Sequence, residues 1–366
     1  SIYDGWNMVS IPGLHPTNQN VDTWWSGRNP LASVYKWTTS YVPVTVAAPS
    51  EGYWMLHTGA KTYNTGDEWP AGGIQIVAHN PITVLQGWNM IGGYDQSVPI
   101  GSLTTTPPGK IVAGTIYGWN GSYYNPTNIV PGYGYWVLLS ANAVINFPTL
   151  DAATPKAVVV EDNKEEWGKI TLTDASGKSY VLYAVNGEVN LESYQLPPLP
   201  PEGMFDVRYG SGRKAEKLDN GIQTIEMRGI TYPVKVRVEK MGIRIQDETE
   251  KIVNERVKSG EEVTISNSLI SKLKVSVDVI PDKYALEQNY PNPFNPSTKI
   301  EFSIPEDVNN VTLTIYNALG QRVAELVNSK MEAGKYSYVW NASDVATGLY
   351  IYELRTDKFV SVKKMM

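Results

Sequence analysis

The sequence predicts an all-β chain built from tandem small sandwich or barrel-like modules. Apolar and polar residues alternate over short runs along most of its length, which is the period of a half-buried strand. The 31 glycines and 24 prolines interrupt those runs too often for long helices. One pattern of tryptophans also recurs at a constant spacing, as expected when a chain repeats one kind of module.

Composition restricts the classes of protein that remain. The 366 residues contain no cysteine, which excludes a disulfide framework, a cysteine nucleophile and a thiolate metal site. The net charge of −6 gives no reason to expect a nucleic-acid partner. No apolar run reaches the roughly 18 residues that a transmembrane helix needs. We therefore expect a chain without a transmembrane segment that is stabilised by the packing of its sheets.

Charge is distributed unevenly, and this draws the first domain boundary. Residues 1–150 contain nine of the eleven tryptophans but very few charged side chains, whereas residues 151–280 are rich in charge and contain only Trp167. Regions of such different composition are expected to fold as separate units. We place a boundary at 150/151.

The first 150 residues contain an internal repeat, because three tryptophan segments recur 82 positions later. The pairs are GWNMV at 5–9 and GWNMI at 87–91, VYKW at 34–37 and IYGW at 116–119, and GYWML at 52–56 and GYWVL at 134–138. We interpret 1–82 and 83–150 as homologous β modules with a strand at each segment. The first module is expected to continue into a strand at 74–77. The pattern resembles the GWN, YxW and GYW repeats of secreted bacterial surface proteins, which implies no particular activity.

The tryptophans could be core residues or a sugar-binding face. Six of them occupy matching positions in the two copies, which favours packing, since each indole buries a large apolar area. Trp24 and Trp25 have no counterpart in the second copy, and on a strand two adjacent rings would point to opposite faces. The better candidates for contact with a ligand or a neighbouring subunit are therefore Trp24, Trp25, Tyr41, Tyr123 and Tyr124.

Residues 151–280 predict a β-sandwich spacer. They begin with a polar linker and a short apolar strand at 157–160, and a hairpin turn is expected at 174–177. The polyproline segment LPPLPP at 196–201 predicts a stiff connector, although such a segment could also dock onto a proline-reading domain. Six further runs resemble strands, and only 249–258 could form a helical turn. The region resembles modules that often precede the kind of C-terminal domain that follows it.

Residues 281–366 predict a small immunoglobulin-like sandwich. Three prolines at 291, 293 and 296 favour an extended, irregular segment before the first strand. Ile300, Phe302 and Ile304 then alternate with polar residues, and later runs at 311–315, 321–327, 334–340, 348–355 and 358–363 continue the pattern. About seven antiparallel strands follow from this spacing.

Several motifs of this region, in the same order, resemble a type A C-terminal sorting domain of the type IX secretion system. The motif residues are Tyr290, Pro291, Asn292, Pro293, Phe294, Asn295, Pro296, Gly320, Gly348, Lys363 and Lys364. The resemblance implies export across a bacterial outer membrane by the type IX secretion machinery, after which the domain is normally removed. It also implies a secreted or surface-exposed protein, and we expect that a signal peptide has been removed from its N-terminus.

No residue pattern points to catalysis. His15, His57 and His79 are spaced too irregularly for a local metal pair, and neither an HExxH nor a GxSxG motif occurs. Carboxylates for glycoside hydrolysis could be assembled only from Asp67, Glu68 and Asp95, of which the first two are adjacent in a predicted turn. We therefore predict a protein that is not an enzyme and has no cofactor or metal.

Two functions from different classes remain. The first is a structural subunit of the cell surface that associates with copies of itself, by strand addition or aromatic patches, into an extracellular filament or layer. The second is an adhesive or carbohydrate-binding protein whose partner is a polysaccharide. Exposure of the candidate aromatic residues discriminates the two, because a concave exposed row favours a sugar whereas burial against another chain favours assembly.

Overall fold

A computed structural model describes residues 1–63, 73–148, 164–185, 187–218, 221–278, 281 and 283–366. Strands dominate the described residues, so the all-β prediction is confirmed. The chain forms two compact units, Ser1–Val277 and Asp278–Met366. The first contains both predicted repeats and the predicted spacer, and the boundaries between those three modules stay predictions.

The first unit consists of short strands with few helical turns. Its helical segments are α1 (Val21–Trp24) and the 3-10 helices Ile100–Ser102 and Leu191–Tyr194. Its strands are β1 (Gly5–Val9), β2 (Val34–Trp37), β3 (Tyr41–Val44), β4 (Tyr53–His57), β5 (Ile82–Val84), β6 (Gly87–Gly92), β7 (Val98–Pro99), β8 (Thr104–Thr106), β9 (Gly118–Trp119), β10 (Tyr123–Tyr124), β11 (Asn128–Ile129), β12 (Gly134–Leu139), β13 (Ala143–Asn146), β14 (Gly168–Thr173), β15 (Ser179–Ala184), β16 (Asp206–Tyr209), β17 (Ala215–Glu216), β18 (Gln223–Arg228), β19 (Val234–Glu239), β20 (Ile243–Gln246), β21 (Asn254–Val257), β22 (Glu262–Ile265) and β23 (Lys272–Val277).

In each repeat, the GWN strand pairs with the GYW strand. β1 lies antiparallel to β4 in a sheet of order β1-β4-β2-β3, and β6 lies antiparallel to β12. Smaller sheets of order β5-β13-β8, β9-β10 and β7-β11 complete the second copy. Corresponding strands therefore pair in the same way, because the same alternation of glycine, tryptophan and apolar residues is present twice.

The two copies join through reciprocal contacts. Single β-bridges connect Val9 to Tyr133 and Glu51 to Ile91, and these two pairs are related by the 82-residue offset. The backbone is close at this seam, since a Cβ atom on Gly134 would lie 2.8 Å from the carbonyl oxygen of Val9. Only glycine allows such an approach.

The middle region is a two-sheet sandwich. One sheet has the order β17-β15-β14-β19-β22 and the other β16-β18-β23-β20-β21. A continuous apolar core lies between them, formed by the inward residues of alternating strands such as Val234, Val236 and Val238 of β19. The predicted hairpin at 174–177 is present between β14 and β15.

The second unit is also a two-sheet sandwich. Its strands are β24 (Ala285–Leu286), β25 (Ser297–Ile304), β26 (Val308–Asn317), β27 (Arg322–Met331), β28 (Gly334–Asn341), β29 (Tyr350–Arg355) and β30 (Val360–Met365). They form sheets of order β24-β25-β28 and β27-β26-β29-β30. Ile300, Phe302 and Ile304 are buried in the core as their alternation predicted.

Three local predictions differ from the structure or lie outside it. The helical turn predicted at 249–258 is wrong, because Asp247 accepts hydrogen bonds from the backbone amides of Ile252 and Val253, and β21 then begins at Asn254. The strand predicted at 74–77 is reduced to one bridge between Gln75 and Leu14. The strand predicted at 157–160 lies outside the described residues.

Candidate functional site

The GWN motif is a local structural device. Gly5 and Gly87 have φ angles of 103° and 95°, a region that other residues rarely adopt. The Asn7 side-chain amide donates to the carbonyls two and four residues earlier, and Asn89 repeats both bonds. Each asparagine thereby closes the turn that leads into its strand. This explains the glycine and the asparagine of the motif without a ligand.

The tryptophans of the two copies pack across the seam between the repeats. Trp37 of the first copy lies edge-on to Trp136 of the second, with ring centroids 5.2 Å apart. Trp119 of the second copy lies edge-on to Trp54 of the first at 5.1 Å. Trp54, Trp119 and Trp136 are buried, whereas Trp37 is half-buried. The matched tryptophans therefore form one shared aromatic core.

The five predicted contact residues differ in exposure. Trp25 and Tyr123 are buried, Trp24 and Tyr41 are half-buried, and Tyr124 is exposed. The expectation that Trp24 and Trp25 lie on a strand is wrong, because the chain forms the short helix α1 there. The turn directs the Trp25 ring into the core against Tyr53. The five side chains therefore do not form a single exposed row.

Tyr41 and Tyr123 contact the chain's own polyproline segment. They occupy equivalent positions in the two copies, each beside the YxW tryptophan of its own repeat. The Tyr41 hydroxyl donates to the carbonyl of Leu199 at 2.7 Å, and the Tyr123 hydroxyl donates to the carbonyl of Pro198 at 2.9 Å. Burial raises the pKa of both hydroxyls, so each keeps its proton and remains a donor at neutral pH. The segment at 196–201 is thus a docked strap rather than a free connector.

A buried ion pair lies beside the strap. The Arg208 guanidinium makes two hydrogen bonds of 2.6 Å to the Asp206 carboxylate. Its remaining Nη1 donates to the carbonyl of Pro197 at 2.8 Å. Because the carboxylate holds the guanidinium in place, this third bond has a fixed direction.

Lys214 is buried where the middle sandwich meets the second repeat. Its ammonium lies 2.5 Å from the Asn125 side-chain oxygen and 4.9 Å from the centre of the Tyr117 ring. Burial, together with repulsion from Lys164, lowers the pKa of Lys214 to about 7. The charge of the Lys214 side chain is therefore expected to change near neutral pH.

A cavity of about 330 Å³ opens among residues of the two repeats. Its wall combines indole and phenol rings with polar side chains, and it includes two of the predicted contact residues. The lining that matters here is Trp24, Trp25, Trp119, Tyr133, Asn7 and Thr23. Aromatic side chains next to a few hydrogen-bonding groups are typical of the walls of small-ligand sites.

The three histidines each have a hydrogen-bond partner within the first unit. His57 bonds to the Tyr63 hydroxyl at 2.7 Å, and His79 bonds to Asp95 at 2.5 Å while stacking on Tyr94. No cluster of three histidine, aspartate or glutamate side chains that could hold a metal occurs in the part of the chain that the structure describes. Asp67 and Glu68 lie outside it.

In the second unit, the proline-rich motif at 290–296 and the closing motif at 363–366 form one surface, which we call the sorting surface. The amide of Phe294 donates to the carbonyl of Met366 at 2.9 Å, and the amide of Met366 donates to Asn292 Oδ1 at 3.0 Å. The side chain of Gln288 donates to the carbonyl of Lys364. Motifs separated by about seventy residues are therefore joined by direct hydrogen bonds.

A buried asparagine stabilises this surface through hydrogen bonds to neighbouring segments. The Asn289 side-chain amide donates to Thr298 Oγ1 at 2.9 Å and to the carbonyl of Pro291 at 3.1 Å, and its backbone amide donates to the Tyr352 hydroxyl. Outward from this network, most motif residues are exposed. The exposed ones are Tyr290, Pro291, Asn292, Pro293, Asn295, Pro296, Gly320, Gly348 and Lys364, while Phe294 and Lys363 are half-buried.

Sequence reasoning missed three of the functional-site residues. Asp206 and Arg208 alternate with apolar residues as in an ordinary strand, whereas Lys214 stands in the charged stretch at 213–217. Charged residues in both kinds of segment normally face solvent. The only available signal was the neighbouring polyproline segment, whose carbonyls need donors from elsewhere because proline has no N–H group.

Comparison with known proteins identifies a family for the second unit only. Residues 288–366 match the family described as "Secretion system C-terminal sorting domain". Neither the curated proteins nor the solved structures gave a significant match to the chain. Within the described residues, no helix has the length and apolar character to cross a membrane. The sorting domain indicates a secreted or surface-exposed protein that contacts the type IX secretion machinery during export.

Proposed function

We propose that this protein is a non-catalytic structural component of the cell surface whose copies associate into a filament or layer by strand addition at β28. The observation that carries the proposal is the edge of that strand that faces away from β25. β25 pairs with β28 over all eight residues, from Ser297 opposite Asn341 to Ile304 opposite Gly334. No described residues form a strand on its other side. Such an edge is a template for another strand.

The composition of β28 favours pairing. Lys335 is its only charged residue, and the Val339 side chain is 68% exposed. Other edges of the molecule carry features that discourage pairing. β3 contains Pro43, and the edge strand β21 contains Glu255 and Arg256. The edge of β28 contains no proline and only one charged residue, which supports it as the contact between copies.

The repeats support the same proposal. Their aromatic residues are largely used for packing within the chain, and we infer that they form a rigid body of the kind found in secreted surface proteins rather than a catalytic domain. Assembly through β28 also requires that the sorting domain stays attached after export. Mass spectrometry of material released from the cell surface tests this, because peptides from 288–366 would be absent if the domain had been removed.

The assembly experiment compares the purified wild-type chain with Val339→Lys by negative-stain electron microscopy and sedimentation. The exposed position tolerates lysine in the fold, while a second positive charge on this edge should oppose strand addition. Val362→Lys on β30, an edge strand of the second sheet, is the matched control, since Val362 is also exposed. We expect regular polymers from the wild type and the control, and dispersed particles from Val339→Lys.

Two results would contradict this function. If the wild type stays as dispersed monomers at tens of micromolar, the protein does not associate with itself. If Val339→Lys forms the same polymers as the wild type, β28 is not the contact between copies.

Carbohydrate binding is a second candidate, favoured by the aromatic cavity of the repeats. We infer that Trp24 would stack on a sugar ring there, because it is half-buried and lines the cavity. A glycan-binding screen of the full chain against Trp24→Ala tests it. Binding that is lost in the variant supports an adhesive role, and a wild-type chain that binds no glycan excludes it.

A further inference from the structure

The polyproline strap is held in the manner of a bound peptide. Three consecutive carbonyls, those of Pro197, Pro198 and Leu199, each accept one hydrogen bond from a side chain elsewhere in the chain. The donors are Arg208, Tyr123 and Tyr41, in the same order. One donor for each carbonyl matches the chemistry of the segment, since a run of prolines offers acceptors but almost no backbone donors.

The surface under the strap is formed by the seam between the two repeats. Tyr41 and Tyr123 occupy equivalent positions in the two repeats. Each ring packs edge-on against a tryptophan, with ring centroids about 5 Å apart. Leu196 is buried in the same aromatic cluster. Proline-rich peptides in extended conformation are recognised by aromatic-lined grooves of this kind, because the peptide is already ordered before it binds.

We propose that the aromatic seam of the paired repeats is a binding site for an extended proline-rich peptide, and that the chain fills this site with its own residues 196–201. No residue of this site belongs to β28 or to the sorting motifs, so the proposal stands independently of the assembly proposed above. It accounts for one of the contacts between the middle sandwich and the repeats, beside that of Lys214 with Asn125, as peptide recognition within one chain.

The site is organised by groups that do not belong to the strap. Asp206 fixes the Arg208 guanidinium, and both side chains are buried. The two tyrosine rings are held by their tryptophan neighbours. A site of this kind loses little conformational entropy when a peptide enters, and it should therefore keep its shape when the strap is released.

The first experiment supplies the strap in trans. In the full chain, Pro197, Pro198, Leu199 and Pro200 are replaced by Gly or Ser, and the peptide QLPPLPPE, residues 195–202, is titrated in while tryptophan fluorescence is recorded. We expect saturable binding of one peptide per chain. The control peptide QLAALAAE should bind at least about tenfold more weakly, because it must be ordered on binding.

The tyrosine hydroxyls provide the specific readout. Tyr41→Phe and Tyr123→Phe, added to the strap variant, keep the rings and remove one donor each, and each should weaken the peptide by about 2- to 10-fold. Tyr133→Phe, at a tyrosine that does not contact the strap, should leave the affinity unchanged. A folded strap variant that does not bind the peptide, or phenylalanine variants that bind as tightly as the parent, would overturn the proposal.

A second measurement uses the intact strap, in case its replacement prevents folding. Hydrogen exchange at the backbone amides of Leu196 and Leu199, the two N–H groups of the strap, is compared between the wild type and the Tyr41→Phe, Tyr123→Phe double variant. Exchange should become faster by about 2- to 10-fold for each hydroxyl removed, because strap release becomes easier. Exchange that is unchanged in the double variant would show that the hydroxyls do not hold the strap, and the site would be rejected.

Discussion

At the scale of single residues, the first unit depends on side chains whose partners lie far along the chain. Trp119 is buried against Trp54 of the other repeat, and Lys214 is buried beside Asn125. An indole in such a place contributes apolar burial, whereas an amine contributes a charge that must be either neutralised or paired. Replacing Trp119 should therefore lower the stability of the chain, whereas replacing Lys214 by an apolar residue should raise it.

Replacing Trp119 by alanine should lower the free energy of unfolding of the first unit by about 3–5 kcal/mol, since a large buried ring leaves a cavity. Trp37→Ala should cost less, because Trp37 is half-buried. Urea denaturation followed by circular dichroism measures both. Leu31→Ala is the control, at a side chain that is 96% exposed, and equal stability of all three variants would contradict the shared aromatic core.

Lys214 predicts a pH dependence of stability. Its pKa is lowered to about 7 by burial in the folded chain, whereas an unfolded lysine titrates near 10.4. Between these values the unfolded chain binds one more proton, so the free energy of unfolding should rise as the pH rises from 7 towards 10. Above pH 10 the trend should reverse, because burial raises the pKa of Tyr41 and Tyr123, which stay protonated only in the folded chain.

Lys214→Met tests this dependence, since methionine keeps the length of the side chain and removes the amine. The variant should be more stable than the wild type at pH 7 and should lose the rise between pH 7 and 10. Lys178→Met, at an exposed turn, is the matched control and should keep the wild-type profile. An identical slope in the Lys214 variant would show that another group causes it.

At the scale of strands, the close approach of backbones at the seam decides how the two repeats join. Gly134 begins β12 and faces Val9 of β1, while Gly52 faces Ile91 of β6 in the equivalent place. Both contacts exist because the glycines carry no Cβ atom. In the GYW motif, the glycine therefore allows the close approach at the seam, whereas the tyrosine and the tryptophan pack in the core.

Gly134→Ala should separate the strands at the seam. Its Cβ atom would lie 2.8 Å from the carbonyl oxygen of Val9, closer than real Cβ contacts allow, and we expect a loss of about 1–3 kcal/mol in the free energy of unfolding. Gly210→Ala is the control, because its nearest neighbour would be an ordinary contact at 3.5 Å. Chemical denaturation monitored by tryptophan fluorescence compares them, and a neutral Gly134→Ala would contradict the close seam.

At the scale of the whole molecule, the sorting motifs and the edge strand β28 both lie in the second unit. The sorting surface is assembled from the two ends of residues 288–366, so neither motif forms it alone. The first unit holds the aromatic seam, the strap and the cavity. A chain divided in this way should lose delivery and keep its fold when the second unit is removed.

Deletion of residues 278–366 should therefore retain the protein in the periplasm, where cell fractionation and surface labelling would detect it. Fusion of the same residues to an unrelated periplasmic protein, in the native host, should bring that protein to the cell surface. Normal surface display of the deleted chain, or failure of the fusion to be exported, would contradict the assignment.

Local sequence was sufficient for most of the strands and for the sorting domain that indicates export. Ile300, Phe302 and Ile304 alternate with polar residues, and that period alone places them in a core. The sorting motifs were recognisable because they are continuous segments in a constant order. The helical turn at Trp24 escaped the same reasoning, since a run of four residues is too short to show a period.

Only the tertiary structure decided what the aromatic and charged residues do. Tyr41 meets Leu199 across 158 positions, and Tyr123 meets Pro198 across 75. Periodicity reports which face of a strand a side chain occupies, because that depends on its immediate neighbours. It does not report which distant segment covers that face, because this depends on how the repeats and the middle sandwich pack together. The strap and its three donors therefore became visible only once those elements were in place.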